Sequence, residues 1–442
     1  MSLTAKVLWA MLLGIIVGLV INIAGLNTPE SFINEYVVGG LFYIIGKMFI
    51  TALKMLVVPL VFFSLISGVL GIGDIRKLGS VGIKSFGLYI LTTAIAIATA
   101  IGLASVVIPF FSTPTASAEA FTATKAPAIS DVLINIIPSN VLEAFAAGNM
   151  LQIIFFSILL GISLLMVGKK AKSIAEGIEV MNEAMMNMVN IVMSVAPYAV
   201  FALLAKAVAE LGLDLLVQLA VYVVVLVVAL LFHLFGTLMF LLKLFSKLSP
   251  KIFLTKIRDA QIFAFSTASS NATIPVTLRS VTKRMGVDNS VASFTVPFGA
   301  TINMDGTAIM QGVATVFIAN VYGIELGISG YLTVILMSVL ASIGTAGVPG
   351  VGLIMLSMVF VQVGLPIEGI GLILGVDRLL DMVRTSVNVT GDAVVTCIVA
   401  KSEKEIDLET FANAEAGMVE ELEIEDTDED ALAEIVHRIE EK

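Results

Sequence analysis

The sequence predicts an all-α multi-pass membrane protein with eight transmembrane helices and two re-entrant helical hairpins in inverted repeats. Three observations predict it. Of the 442 residues, 58% are hydrophobic and 14% charged, with a mean hydropathy of +1.02; soluble domains run at roughly 45–50% and 25%. Apolar runs near the roughly 20 residues needed to cross a bilayer recur along the chain. Lys and Arg collect in alternate loops, as orientation in a membrane requires.

The net charge of −10 resolves into two parts. Of the 35 acidic residues, 16 lie in residues 402–442 with three of the 25 basic ones, so this tail carries −13 and the body +3. The tail, with its acidic run at 420–430, reads as a solvated cytoplasmic appendage. No basic patch stands clear of the membrane flanks, which excludes nucleic-acid binding. One cysteine, Cys397, excludes a disulfide scaffold, and two histidines, His233 and His437, are too few for a histidine-rich metal site or proton relay.

The predicted spans are residues 5–24, 38–70, 81–111, 150–167, 175–209, 213–245, 291–322 and 367–400. The first has the length of a signal peptide but no cleavage site before a soluble sequence, and is read as a retained helix. Spans beyond 30 residues imply tilt or kinks, with Pro59 and Pro197 as kink sites. Loops holding Arg76, Lys77 and Lys84, then Lys169, Lys170 and Lys172, then Lys243 to Arg258, fall on one side. Those around Glu30 and Glu35, the 113–147 segment and the stretch near Glu325 fall on the other. Both termini are therefore predicted in the cytoplasm.

Two segments break this alternation. Residues 252–278 are interrupted by a Ser/Thr-rich stretch, 266–273, and have basic residues on both flanks. Residues 331–363 form two apolar arms around Ser342 to Gly350, each about 11 residues or roughly 17 Å of helix, half a bilayer core. Both read as hairpins, one entering from each side. Their irregular tips are tolerable only inside protein or beside a cavity. A hairpin followed by a polar-faced helix occurs twice with opposite entry, the pattern of inverted-repeat transporters with a midplane site.

The last span carries the strongest chemical signal. Asp377, Asp381, Arg384, Asn388 and Asp392 are spaced so that they share a helical stripe about 80° wide, with Thr385 at its border and Arg378 further off. Charges at bilayer depth cost a few kcal/mol each even on the lowest scales, so the stripe must face protein, water or ligand. In the seventh span, Thr301 to Thr307 includes Asn303, Asp305 and Gly306, which reads as a helix break with a hard-oxygen cage suited to Na⁺. Four Asp against Arg384 leave the set at −3, a site that wants cations. Arg384 offers a planar fork for a carboxylate and Asp381 a partner for an ammonium, which together fit an acidic amino acid. The rival is that Arg384 merely pairs with Asp377 or Asp381.

These motifs, namely Asn303-Met304-Asp305-Gly306-Thr307, the serine-rich first tip, Gly344 to Gly350 and Asp381 to Asp392, resemble the glutamate transporter family of dicarboxylate/amino acid:cation symporters over residues 1–401. The resemblance implies a homotrimer with a scaffold at about 1–70 and 130–210 and a moving transport domain at about 80–112 and 212–401. It implies substrate contacts at Ser270, Thr307, Asp381, Arg384, Thr385 and Asn388, with backbone at Val348 and Gly352. It implies three Na⁺ sites: Gly299, Asn303, Asn388 and Asp392; Thr301, Ser342, Ile343 and Thr345; and Tyr89, Thr92, Thr93, Asn303 and Asp305. Ala268 and Met382 stand where archaeal and animal members respectively carry an arginine. Gln311 stands where proton-carrying animal members have Glu, so coupling to sodium alone is expected.

The expected activity is Na⁺-coupled import of aspartate or glutamate across the inner (plasma) membrane, by elevator-like alternating access. A proton-coupled glutamate or C4-dicarboxylate symporter is the near alternative, and a gated ion channel the distant one. No nucleophile–base pair supports an enzyme.

Overall fold

A computed structural model describes residues 3–71, 75–111, 134, 136–343, 347 and 349–417. Apart from an isolated antiparallel bridge between Val287 and Ile406, its described regular elements are helical. In chain order the α-helices are α1 (Leu3–Ile23), α2 (Tyr43–Gly71), α3 (Ile75–Phe111), α4 (Val141–Ala147), α5 (Met150–Val167), α6 (Lys172–Ser194), α7 (Ala196–Phe232), α8 (Met239–Ser246), α9 (Pro250–Thr267) and α10 (Ser270–Arg279). They continue as α11 (Asn289–Ile302), α12 (Asp305–Val321), α13 (Gly327–Ser342), α14 (Val351–Val363), α15 (Ile370–Glu403) and α16 (Leu408–Ala412). The acidic stretch 418–442 lies outside the described residues.

Five helical stretches among the described residues are long and apolar enough to cross a bilayer: Ala5–Ile23, Ile33–Leu70, Ser80–Phe111, Gln152–Ser194 and Ala196–Ser246. The expected seventh span is divided into α11 and α12, each too short alone, and α15 carries its charges within the span. Length excludes the first pair, and the buried polar groups of α15 exclude the last.

The expected fifth span, 175–209, is not one helix. The chain turns at Val195 (φ −93°, ψ −1°), and Pro197 sits in the first turn of α7, where its missing N–H costs nothing. The break before the sixth span falls at Gly212, whose φ of 65° is open to glycine and strained for other residues. Pro59, by contrast, lies within an uninterrupted α2.

Both segments expected to be re-entrant fold as helix–tip–helix units. In the first, α9 ends at Ala268, in the left-handed region at φ 50°. Ser269 then caps α10, its Oγ accepting from Ala272 N at 3.2 Å. In the second, α13 and α14 pack on each other. Their 16 and 13 residues exceed the expected 11. The first helix, α13, begins at Gly327, so Gly-Ile-Ser-Gly at 327–330 adds a turn ahead of the apolar arm.

Two groups of helices surround a large apolar core, with a smaller separate cluster around Ile21, Val38 and Phe42. α1 packs along α7, and α2 along α5 and α6. α15 lies at the centre of the other group, against α3, α9, α11 and α12, and also touches α7. Its polar stripe is thereby removed from lipid and from bulk water.

Candidate functional site

The stripe on α15 is buried along its length: Asp377, Asp381, Arg384, Asn388 and Asp392 are each at most 8% exposed. Arg384 is fully enclosed and bridges two carboxylates, Nη1 lying 2.8 Å from Asp377 Oδ1 and Nη2 2.9 Å from Asp381 Oδ1. The first contact is close but poorly aligned for a hydrogen bond. Arg378, part-exposed, lies 3.8 Å from Asp381 Oδ2. The rival expectation, Arg384 paired within its own helix, describes the site in this structure.

The helix break in the seventh span falls at Asn303 and Met304, immediately before Asp305 and Gly306 open α12. It frees the first N–H groups of α12, and Gly306 N donates to Asn388 Oδ1 at 2.7 Å. Gly306 is needed there because a Cβ would come within 2.5 Å of the Arg384 carbonyl oxygen. α12 can therefore lie directly on α15, which brings Thr307 beside Arg384. A Cβ on Gly352, at the start of α14, would sit 3.2 Å from Thr307 Cγ2 and 3.7 Å from Arg384 Nη2.

The hairpin tips meet over this group. Gly347 O accepts from Ser269 Oγ at 2.7 Å and from Asn271 N at 3.2 Å. Ser270 is buried against Gly347. Gly350 N donates to Asp381 Oδ2 at 3.3 Å. Thr385 Oγ1 donates back to the Asp381 carbonyl at 2.8 Å. Of the expected substrate residues, the structure thus gathers Ser270, Thr307, Gly352, Asp381, Arg384, Thr385 and Asn388 around the tips, while Val348 lies outside the described residues. A cavity of about 160 Å³ reaches Asp377 and Asp381 past Gly350, walled by Val7 of α1 and Asn190 of α6.

The first expected ion set is contiguous. Asn303 Nδ2 donates to Asp392 Oδ1 at 2.9 Å and to the Asn388 carbonyl at 3.4 Å, and Asn303 N to Gly299 O at 2.7 Å. A Cβ on Gly299 would collide with Asp392 Oδ1 and with Tyr89 Oη, both at 2.6 Å, so these oxygens converge on a space only glycine leaves open. Tyr89 borders both sets: its hydroxyl lies beside this one and donates to Thr295 O at 2.9 Å, while its carbonyl accepts from Thr92 Oγ1 at 3.1 Å in its expected set. In that other set, Asp305 Oδ1 accepts from Thr93 at 2.7 Å and from Thr92 at 3.3 Å, while Thr92 also reaches Asn303 Oδ1 at 3.4 Å. In the remaining set, Ser342 Oγ donates to Ile302 O at 2.5 Å and accepts from Met304 N at 3.2 Å, which ties the second hairpin to the helix break. Thr301 turns its hydroxyl to Pro297 O at 3.0 Å, Ile343 lies at the end of α13, and Thr345 lies outside the described residues.

The structure adds His233, which the sequence reading set aside. Its Nε2 lies 3.0 Å from Asp305 Oδ2, with both residues buried. A signal was present: no other Asp, Glu, Lys, Arg or His occurs between Asp214 and Lys243. An ionisable residue alone in a membrane span is a functional candidate by default.

Residues 3–402 match the sodium:dicarboxylate symporter family. The chain is 32% identical over 404 residues to the proton/sodium-glutamate symport protein of Bacillus caldotenax, covering 89% of this chain and 94% of that one. It is 34% identical over 418 residues to the proton/glutamate-aspartate symporter of Escherichia coli (strain K12), covering 92% and 94%. It is 33% identical over 426 residues to the C4-dicarboxylate transport protein of Bacillus subtilis (strain 168), covering 94% and 97%. A transporter rather than an enzyme is the class that these relatives and the buried polar site share. The chain belongs to the sodium:dicarboxylate symporter family.

Proposed function

We propose that this protein imports aspartate or glutamate together with Na⁺ by elevator-like alternating access, as a homotrimer in the inner membrane with both termini in the cytoplasm. The observation that carries the reading is the placement of Arg384: wholly buried, next to Asp381, under two hairpin tips, and one helix away from an oxygen cage. In this structure Asp377 and Asp381 neutralise the guanidinium. An acidic amino acid can take over the contact between Arg384 and Asp381: its side-chain carboxylate takes Arg384 Nη2 and its ammonium takes Asp381, while Asp377 stays beside Nη1. Substrates lacking either group would leave a buried charge without a partner, which is the physical basis of rejection.

The cage of Gly299, Asn303, Asp392 and Asp305 with Thr92 and Thr93 supplies carbonyl, carboxylate, amide and hydroxyl oxygens, the ligands Na⁺ takes, and three such ions are the expected complement. The transport unit is residues 80–112 and 212–401 moving against 1–70 and 130–210. The site's cavity opens beside Val7, near the N-terminal end of α1. With the N-terminus in the cytoplasm, that placement supports an inward-facing arrangement.

A second reading, proton in place of or beside Na⁺, draws on the names of the Bacillus caldotenax and Escherichia coli relatives. One experiment separates the two. Liposomes containing the protein are loaded so that Na⁺ and pH gradients are imposed independently, and labelled aspartate uptake is followed. Uptake driven by Na⁺ at equal pH supports the proposal; uptake driven by a pH gradient in Na⁺-free buffer overturns it. Succinate as competitor tests the C4-dicarboxylate alternative raised by the Bacillus subtilis relative.

A further inference from the structure

The base of the first hairpin holds a cavity that the proposed transport site does not use. It measures about 480 Å³ and is lined by Arg258, Arg279 and Arg284 together with Asp259 and Gly417. Arg284 is buried, pairs with Asp259 Oδ2 at 2.9 Å and donates to the Lys256 carbonyl at 3.2 Å. Its Nε is buried without a hydrogen-bond partner among the described residues. Arg258 and Arg279 are exposed and form no ion pair among the described residues. Three guanidiniums thus face one carboxylate. The distribution of Lys and Arg places this surface in the cytoplasm.

The chain brings its own C-terminal segment to the mouth of this cavity. Beyond α15, Asp288 N donates to Glu405 O at 2.9 Å and Asp407 N to Gly286 O at 2.8 Å. Lys256 Nζ donates to Thr410 O at 2.7 Å, and Phe411 is buried under it. The hydroxyl of Thr410 and the N–H of Glu409 donate to Asp407, which holds its carboxyl below the usual range and fixes the turn. Gly417 lies so close to Lys283 that a Cβ would come within 2.6 Å of its carbonyl oxygen. Residues 402–417 therefore belong to the folded body, and the chain is pinned at the cavity wall where the acidic sequence begins. Residues 418–442 hold 11 acidic and two basic side chains, eight of the acids within 420–430. At about 3.3–3.6 Å per residue, Glu420 to Glu423 lie within roughly 20 Å of Gly417 along the chain.

We propose that the acidic segment 420–430 docks in the arginine cavity at the cytoplasmic base of the first hairpin and straps its two arms together. Arg258 and Arg284 come from the α9 side and from the turn after α10, and Arg279 from α10 itself, so one bound strand of carboxylates bridges both arms. Guanidinium–carboxylate contacts are the strong, bidentate kind. Single exposed ion pairs contribute little, but the tether of a few residues makes each further contact intramolecular. An anionic lipid headgroup offers the same charge without that tether. The strap is salt-sensitive, because the Debye length falls from about 30 Å at 0.01 M to about 3 Å at 1 M.

The test uses the full chain with Thr427→Cys carrying a fluorophore; Cys397 is buried and leaves the label at one place. Anisotropy is measured in zwitterionic-lipid nanodiscs while choline chloride is raised from about 0.01 M to about 1 M, which leaves any Na⁺ site unfilled. The parent is expected to lose anisotropy with salt, and R258E/R279E to show the low value throughout. Neutralising Glu420, Glu421, Glu423 and Glu425 to Gln must give that same low value without altering the body. Identical salt curves for parent and R258E/R279E overturn the proposal. So does an anionic lipid that lowers the parent to the R258E/R279E value at low salt, since headgroups then occupy the cavity. None of these readings depends on the transported substrate.

Discussion

Replacing Arg384 with Cys tests the substrate class directly. The guanidinium is fully buried between Asp377 and Asp381 at 2.8 and 2.9 Å. Losing a desolvated, bidentate partner costs a bound carboxylate about 2–5 kcal/mol, or about 30- to 4,000-fold in affinity. Aspartate should weaken by that factor, while serine, alanine or cysteine, no longer facing an unpaired guanidinium, become competent. Asp381 still holds an ammonium, so succinate stays excluded. The same change leaves Asp377 buried without an ion-pair partner among the described residues, at a stability cost of about 3–5 kcal/mol. The double variant Arg384→Cys/Asp377→Asn removes that stranded carboxylate. It should recover thermal stability relative to the single variant without recovering aspartate affinity. The assay is competition, against labelled aspartate in the parent and labelled serine in the variants. Parental aspartate affinity in Arg384→Cys would refute the reasoning, because Arg384 would then serve only the ion pairs within α15.

Three further outcomes are expected. Asp392→Asn should lower apparent Na⁺ affinity, and saturating Na⁺ should restore most of the aspartate affinity; affinity that stays low at every Na⁺ concentration would make Asp392 a substrate ligand or a strut. Gly299→Ala places a methyl where Asp392 Oδ1 and Tyr89 Oη converge, so Na⁺ activation of uptake should shift to higher concentration while the melting temperature changes by only a few degrees; an unmoved Na⁺ curve would remove Gly299 from the ion site. His233→Ala withdraws the group 3.0 Å from Asp305 Oδ2 and should weaken Na⁺ activation by about 10–100-fold, as loss of an outer partner of a metal ligand does, with His233→Gln recovering part of it through its amide donor; equal loss in Ala and Gln variants would mean that the ring is needed for packing alone.

What could be read beforehand was whatever depends on local spacing. The stripe on α15 follows from helical geometry, since five polar residues on one face of an otherwise apolar helix have nowhere to go but inward. The hairpins follow from arms too short to cross and from basic flanks on one side. The break at Asn303 and Met304 follows from polar residues and glycine inside an apolar run. What depends on chain segments far apart was not legible. His233 and Asp305 are 72 positions apart, and nothing local to either announces the contact. The division at Val195 was legible only as a kink at Pro197, because a proline alone does not tell a bend within one helix from the start of the next. The docking of residues 402–417 was hidden because an acidic segment reads as solvated until Lys256 and a buried Phe411 are found holding it.

The proposed assignment of the two sites makes an ion and a substrate depend on each other without touching. Asn388 sits between the two groups: its side-chain oxygen accepts from Gly306 N at the start of α12, and its backbone carbonyl accepts from Asn303 Nδ2. Asn303 in turn holds Asp392, and Gly306 lies on the Arg384 backbone. An ion drawn to Asp392 competes with Asn303 Nδ2 for the same carboxylate oxygen, so filling the cage must reorient Asn303 and loosen its grip on the Asn388 carbonyl. That carbonyl is one turn from Arg384, whose side chain must leave Asp381 before a substrate carboxylate can take it. Four buried carboxylates against one buried guanidinium leave the site anionic, so each cation bound lowers the cost of bringing in an anionic substrate. Whatever factor Na⁺ contributes to substrate affinity, the substrate must return to Na⁺. It follows that Asn388→Ala, which removes the side-chain half of this link, the contact to Gly306 N, while leaving its backbone carbonyl, Arg384, Asp381 and Asp392 in place, should reduce the Na⁺ dependence of aspartate affinity more than it reduces affinity at saturating Na⁺. Aspartate binding measured over a Na⁺ series in parent and variant decides this. An unchanged slope with a uniformly weaker Kd would show Asn388 to be a plain substrate contact and place the coupling elsewhere.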